Sequence, residues 1–424
     1  MVHQISPQNL QSDVETLVGF GTRHTGSSQT DPVRGIGAAG TWIDGQLQAI
    51  AATSGGSMTV QRQSFVQQVS SNIPVPTTIT NVIATLQGTD TTSAAPTYVV
   101  CAHYDSRVTD VLDFTSDAPG ADDNASGVAA MLELARVFAQ HPSKATIVFA
   151  AFDGEEQGLY GSAFAARQLA AAGVNVKGVL DLDTIGTPLG GNGVREPRTV
   201  EVYSEGMPTN ATAAQIALME SVGGENDGLS RQLARYIEET GGNGTRMNVQ
   251  LVFRRDRILR GSDQISFDAQ GDPAVRFTEP NLDYNHIHQN VQVVNGVQLG
   301  DLTQFLDFNY LARVTQVVGS SLAALASSPP APASAQQHVT PPPGFAGSNN
   351  TVLTWNADPE SDVVGYEIVW RDSTDPVWTH AVQVGNVTSF TVTGLNKDNT
   401  QFGVRAINSD GDRSPVSYTT VTTL

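Results

Sequence analysis

Between residues 97 and 183 the chain alternates continuous apolar runs with helically spaced ones, and this rhythm limits the fold more than any other feature. TYVVCA (97–102), TIVFAAF (146–152) and VKGVLDLD (176–183) have strand length and too few polar positions to leave one face in water. Between them, SGVAAMLELARVFAQ (126–140) sets Val128, Leu132, Ala135 and Phe138 on one side of a helix, and SAFAARQLAAAG (162–173) reads as a second helix. Strands buried on both faces and joined by helices predict an α/β domain, a mostly parallel mixed sheet covered by helices on both faces. TQFLDFNYLARVTQVVGSSLAALA (303–326) keeps helical spacing and predicts the last helix of this domain.

The pattern changes after that helix. SSPPAPASAQQHVTPPPG (327–344) is rich in Pro, Ala and Ser and has no apolar period, so it reads as an extended linker. Beyond it, VLTW (352–355), YEIVW (366–370), SFTVTGL (389–395) and FGVRAIN (402–408) are short alternating runs separated by turn residues. They predict an all-β immunoglobulin-like sandwich over 345–424, with Trp355, Tyr366, Leu395, Phe402, Val404 and Ala406 facing inward. The expected organisation is therefore a large α/β domain over 1–326, a linker over 327–344 and an accessory sandwich over 345–424. The sandwich carries no cluster of chemically active residues, and the sequence does not say what it binds.

The 424 residues carry a formal net charge of −19, which argues against a nucleic-acid partner because that requires a basic surface. No apolar run approaches the ~20 residues that span a bilayer. The single cysteine, Cys101, excludes an internal disulfide; it lies within an apolar strand and reads as a buried core thiol rather than a nucleophile. MVHQISPQNL at the start lacks a basic segment followed by an apolar one. The expectation is a secreted or periplasmic protein whose leader is absent from this sequence.

Ligands of open α/β sheets bind beyond the carboxyl ends of the strands, and residues able to hold a metal collect there. His103-Tyr104-Asp105 follows the first strand, Gly120-Ala121-Asp122-Asp123-Asn124-Ala125-Ser126-Gly127 opens a helix, Asp153-Gly154-Glu155-Glu156 follows the second strand, and Asp183 ends the third. Singly each has an ordinary explanation: a surface His–Asp pair, a solvated glutamate face, an aspartate or asparagine capping the helix at 126. Together, and in order along one sheet edge, they supply what two divalent ions need, with one carboxylate left over as a base.

These motifs, followed by Gly-Leu-x-Gly-Ser after the glutamates and by a late histidine, resemble the co-catalytic di-zinc aminopeptidases of the bacterial leucyl aminopeptidase type, whose family includes relatives of glutamate carboxypeptidase. The resemblance covers about residues 80–310, and the later sandwich resembles a fibronectin type III domain. It implies a zinc exopeptidase fold and two Zn2+ ions. His103 and Asp183 would hold one ion, Asp122 would bridge both, and Glu156 would hold the second. Asp105 would orient the His103 ring and Glu155 would be the general base. Of the two histidines in Asp283-Tyr284-Asn285-His286-Ile287-His288, the family pattern favours His288 as the last ligand, with His286 open as the alternative. A cis peptide bond between Asp122 and Asp123 is also implied.

The resemblance implies metal-assisted hydrolysis of peptides that have a free N-terminus, and a carboxylate-rich pocket suits a substrate α-ammonium. The alternatives are a carboxypeptidase or dipeptidase on the same fold, a single-zinc acyltransferase similar to glutaminyl cyclases, and a non-enzymatic binding protein. Asp-Asn-Ala-Ser-Gly after Asp122 differs from the pattern of exopeptidases that carry an inserted dimerisation domain.

Overall fold

A computed structural model describes residues 1–92, 95–242, 244–339 and 349–423. The larger unit is organised around eight strands: β1 (Met58–Gln67), β2 (Thr77–Leu86), β3 (Thr97–His103), β4 (Thr146–Phe152), β5 (Val176–Leu182), β6 (Thr199–Ser204), β7 (Asn248–Val252) and β8 (Ala274–Thr278). They form one sheet in the order β1-β2-β4-β3-β5-β8-β6-β7. The central four, β4-β3-β5-β8, run parallel, whereas β1/β2, β2/β4 and β6/β8 are antiparallel. The sheet is thus mixed with a parallel centre.

Its helices are α1 (Pro7–Gly19), α2 (Ile36–Ala51), α3 (Gly127–Phe138), α4 (Tyr160–Ala171), α5 (Ala213–Ser221), α6 (Leu229–Gly241), α7 (Gln264–Asp268) and α8 (Phe308–Ser327). Alternate residues of β3 enter different cores. Val100 and Ala102 pack with residues of α1, α2, α3 and α8, while Val99 and Cys101 pack with residues of α4 and α7. Both faces are therefore covered, which is why β3 is buried along its whole length and shows no polar alternation. The last helix starts later than its apolar spacing suggests, because the Asp307 side chain accepts the N–H groups of Asn309 and Tyr310 and caps it there.

A small hairpin of β9 (Gln292–Val294) and β10 (Val297–Leu299) precedes α8. The C-terminal unit contains β11 (Gln336–Val339), β12 (Thr351–Thr354), β13 (Val363–Asp372), β14 (His380–Gly385), β15 (Ser389–Val392), β16 (Thr400–Asn408), β17 (Ser417–Tyr418) and β18 (Thr420–Thr423). They form two four-stranded sheets, β15-β12-β11-β18 and β14-β13-β16-β17. Trp355 and Tyr366 meet edge to face at 5.4 Å within their shared core, with Phe402, Val404 and Ala406. Part of the stretch expected to be a linker is built into this unit: Ala335 is in the core, and β11 pairs with both β12 and β18. Residues 340–344 of that stretch lie outside the described residues.

The two units meet through charged side chains. Asp227 accepts hydrogen bonds from Arg371 of the sandwich at 2.7 and 2.8 Å and from Arg235 of α6 at 2.8 Å, and all three residues are buried. Trp378 Nε1 donates to Gln232, and Tyr236 donates to the Arg413 carbonyl.

Candidate metal centre and active site

The parallel register of β4, β3, β5 and β8 brings four chain segments to one sheet edge. His103 ends β3, Asp153 follows β4, Asp183 follows β5 and Glu279 follows β8. Between β3 and α3 the chain makes an irregular turn over Ala121–Ser126, in which Asp123 (φ −109°, ψ 88°) and Asn124 (φ −138°, ψ 45°) leave helical geometry. The turn packs closely on β5: a Cβ on Gly127 would lie 2.2 Å from the Leu182 carbonyl oxygen, so a side chain there is excluded. Asn124 fixes it from within, donating to Leu182 O at 2.8 Å and accepting the Gly127 N–H at 3.1 Å.

This turn corrects the assignment of Asp122. Asp122 Oδ1 accepts the Gly186 N–H at 2.7 Å, and the rest of its carboxyl faces Glu279. Burial first, and then the neighbouring Asp122 charge, push the Glu279 carboxyl well above the usual range. The neighbour Asp123 stands instead between two groups of donors. Its Oδ1 is 3.2 Å from His103 Nε2 and its Oδ2 is 2.9 Å from His288 Nε2. The helical start of the turn aims Asp122 back into the protein, and its non-helical continuation aims Asp123 outward. The cis bond likewise lies one residue later than the resemblance implies, between Asp123 and Asn124.

Two triads result. His103, Asp123 and Asp183 form one, and Asp123, Glu156 and His288 form the other, the donor atoms in each within 4.8 Å of one another. His103 Nε2 lies 3.8 Å from Asp183 Oδ1, and His288 Nε2 lies 3.0 Å from Glu156 Oε2. His288 adopts φ 57°, a left-handed conformation seldom taken by non-glycine residues. His286 is outside both triads, stacked on Phe305 at 3.6 Å between ring centroids.

Asp105 connects the parts. Its carboxylate accepts the N–H groups of Glu155 at 3.2 Å and Glu156 at 3.0 Å, and its Oδ1 lies 3.5 Å from His103 Nδ1, whose nearer contact is the Asp105 carbonyl oxygen at 3.1 Å. Glu155 and Glu156 both border a cavity of about 270 Å3 that also reaches Asp123, Asp183 and His288. Burial, with the Glu156 and Asp183 charges adding and His103 opposing, raises the Glu155 carboxyl well above the ordinary carboxylate range.

Burial alone would hold His103 and His288 neutral. The surrounding carboxylates outweigh it, raising His103 strongly and His288 to about 9. Asp183 Oδ1 and Glu156 Oε1 are buried without a hydrogen-bond donor. Imidazole and carboxylate donors converging in two threes, with orphaned carboxylate oxygens, fit a pair of divalent cations such as zinc.

Several supporting residues carry no signal in the sequence pattern. Asp301 accepts the N–H groups of Asp122 at 2.9 Å and Asp123 at 2.8 Å. The fully buried Arg23 guanidinium donates to the carbonyls of Leu17, Tyr104, Pro119 and Gly120, tying the turn to α1 and β3. Arg107 donates to Glu156 at 2.8 Å and reaches His288 Nδ1 at 2.6 Å. Cys101 is fully buried, 3.7 Å from Asp181 Oδ1, and burial pushes its thiol up, so it has no nucleophilic character.

The profile of Peptidase family M28 matches residues 81–309, the segment that contains both triads. The chain belongs to this family. A fibronectin type III domain profile matches residues 342–423. A "Probable zinc metalloprotease" of Pyricularia oryzae is 48% identical over 98% of this chain and 82% of that protein, and one of Pyrenophora teres f. teres is 43% identical over 99% and 86%. Among solved structures, the LapA aminopeptidase of Legionella pneumophila superposes with a TM-score of 0.53 at 19% identity, covering 77% of this chain and 74% of that one. A glutaminyl cyclase of Porphyromonas gingivalis superposes with a TM-score of 0.51 at 21% identity, covering 75% and 98%. At such identities the two structures share the fold of this M28 peptidase, and the fold alone does not choose between their activities. Among the described residues no helix is long and apolar enough to cross a membrane.

Proposed function

We propose that this M28 peptidase is a two-zinc aminopeptidase, in which His103, Asp123 and Asp183 hold one ion and Asp123, Glu156 and His288 hold the other. The observation that carries this reading is the placing of the two Asp123 carboxylate oxygens toward separate triads on one cavity wall. When bound, two zinc ions supply a water acidified toward neutral pH and Lewis-acid stabilisation of the scissile carbonyl.

Glu155 is not needed in either triad and borders the same cavity, so it serves as general base, taking the proton of the attacking water and returning it to the leaving amine. Asp105 is a positioning residue, because its contacts are with His103 and with the main chain of both glutamates. A histidine that ligates through Nε2 carries its hydrogen on Nδ1 and cannot accept from Arg107 there, so metal loading is expected to turn the Arg107 guanidinium away. Aminopeptidase polarity is proposed from the motifs this chain shares with co-catalytic aminopeptidases and from the fold it shares with the LapA aminopeptidase.

Elemental analysis of active protein should give two zinc ions per chain, and aminoacyl amides with free N-termini should be cleaved while their N-acetylated counterparts are not. Active protein with one metal ion would favour the single-zinc alternative, tested by cyclisation of an N-terminal glutamine. Cleavage restricted to free C-termini would favour a carboxypeptidase.

A further inference from the structure

The cavity has a second wall of opposite charge, to which the proposed hydrolysis gives no role. The segment Phe253-Arg254-Arg255-Asp256-Arg257-Ile258-Leu259-Arg260 places four arginines within eight residues of a chain whose net charge is −19. Two of them, Arg257 and Arg260, border the cavity beside Asp183. The Arg257 side chain is only 12% exposed; it donates through Nε to Asp256 and through Nη2 to the Gly261 carbonyl, with Nη2 also 3.6 Å from Asp183 Oδ2. Its Nη1 is buried and has no acceptor. Behind it, the fully buried Arg276 shares Asp256 at 3.0 Å and Asp183 at 3.1 Å. The half-buried Arg260 has no side-chain hydrogen bond or ion pair among the described residues.

Charge counting separates this wall from an ordinary salt-bridge network. Arg257 and Arg276 share Asp256 and Asp183, Asp181 also acts on Arg276, and Arg260 borders the same cavity. Asp183 also belongs to a metal triad, and a bound cation would take up its charge. That leaves Asp256 and Asp181 against three guanidinium groups, a surplus of one positive charge beside a buried donor that lacks an acceptor. Guanidinium groups in this state favour a planar anion able to accept several N–H bonds, and a carboxylate has that geometry.

We infer that Arg257 and Arg260 form a subsite for a carboxylate of the substrate, so that the enzyme prefers substrates carrying a negative charge next to the scissile bond. This rests on the aminopeptidase reading and narrows it. The metal triads at one side of the cavity hold the scissile bond and the arginines at the other receive the anion. Three parts of a peptide supply such a group: an acidic first side chain, an acidic second side chain, or the terminal carboxylate of a dipeptide.

Three matched pairs of substrates separate these sources: Glu- against Gln-p-nitroanilide, Leu-Glu-amide against Leu-Gln-amide, and Leu-Leu against Leu-Leu-amide. In at least one pair the carboxylate member should have a kcat/KM about tenfold higher, the size of one added hydrogen bond to a charged group. Arg260→Gln should lower that ratio about tenfold with an unchanged Tm, because Arg260 has no partner to lose, and Arg260→Lys should restore part of it. Hydrolysis without carboxylate preference in any pair, or a preference indifferent to Arg260→Gln, would overturn the inference and leave the aminopeptidase reading intact. Failure to cleave any of the six substrates would overturn both.

Discussion

At the scale of single residues, Asp122 and Asp123 show how sharply chemistry can divide between neighbours. Asp122 is held by the Gly186 N–H and faces Glu279, whose carboxyl burial pushes well up, whereas Asp123 faces two histidines. Asp122→Asn should therefore keep both metals, since an amide oxygen still accepts from Gly186 and its nitrogen can donate to Glu279. Asp123→Asn should reduce bound zinc below two per chain. Elemental analysis of the two variants checks this, and the opposite pattern would return the bridging role to Asp122. For Glu155→Gln the expected outcome is unchanged zinc with kcat lowered by about 10²-fold or more, because a group acting on the proton in flight contributes to the transition state. Loss of zinc in that variant would mark Glu155 as a ligand. Most of the candidate site was legible in the sequence, since His103, Glu155, Glu156, Asp183 and His288 stand out by place and motif and the fold brings them together. The choice between adjacent aspartates was not, because it depends on where a turn leaves helical geometry, and both residues have the same composition and the same distance from the strand. Asp301 and Arg23 were invisible for a related reason: each acts on main-chain groups brought close only by the fold.

At the scale of elements, α1 depends on an acid buried in α3. Glu133, 2% exposed, accepts the Ser6 N–H at 2.7 Å and the Asn9 side chain at 3.1 Å, anchoring the start of α1. Asp13, further along α1, is the cost of that arrangement. Burial first and the Glu133 charge second, with Arg136 opposing, raise its carboxyl from 3.8 to about 7. A folded-state value above the unfolded one means that folding favours the protonated acid. Stability on this account is complete below about pH 4 and is lost as the pH rises toward 7. Asp13→Asn, which is neutral at every pH, should therefore gain stability over the parent between pH 4 and pH 8, by about 1 kcal/mol once solvent screening of a partly exposed group is allowed for. Thermal unfolding of both proteins across that range tests it, and a gain that is equal at both ends would exclude titration of Asp13 as the cause. Element boundaries were read well where apolar runs were continuous, as in β4. They were unreadable for β14, which is exposed along most of its length and has no inward face to mark, and for β11, whose strand lies within a proline-rich stretch.

At the scale of the whole molecule, the sandwich is fastened to α6 by buried charge, and this makes the effects of a point change and of a deletion diverge. Asp227 is enclosed by Arg371 from one unit and Arg235 from the other. Arg371→Ala removes two of its charge-assisted hydrogen bonds while the interface still shuts out water. The expected cost is about 3 kcal/mol, at the lower end for breaking a buried pair because Arg235 remains. Deleting everything after Ser328 acts differently. The cut spares Ala335 and β11 from being stranded without their sheet, and it returns Asp227 and Arg235 to water, where each charge is hydrated and neither is orphaned. What the deletion does expose is apolar surface of α6 and the Tyr98 ring, so some loss of Tm is expected. None of the residues bordering the cavity between the triads and the arginine wall comes from the sandwich. The truncated chain should therefore keep kcat/KM on small aminoacyl amides within a few-fold of the full chain, and Arg371→Ala should do the same below its lowered Tm. Circular dichroism beside the rate measurements distinguishes the outcomes: a truncated protein that is folded but inactive would show that the sandwich holds the site in its working shape through α6, and would make it part of the enzyme rather than an attachment to it.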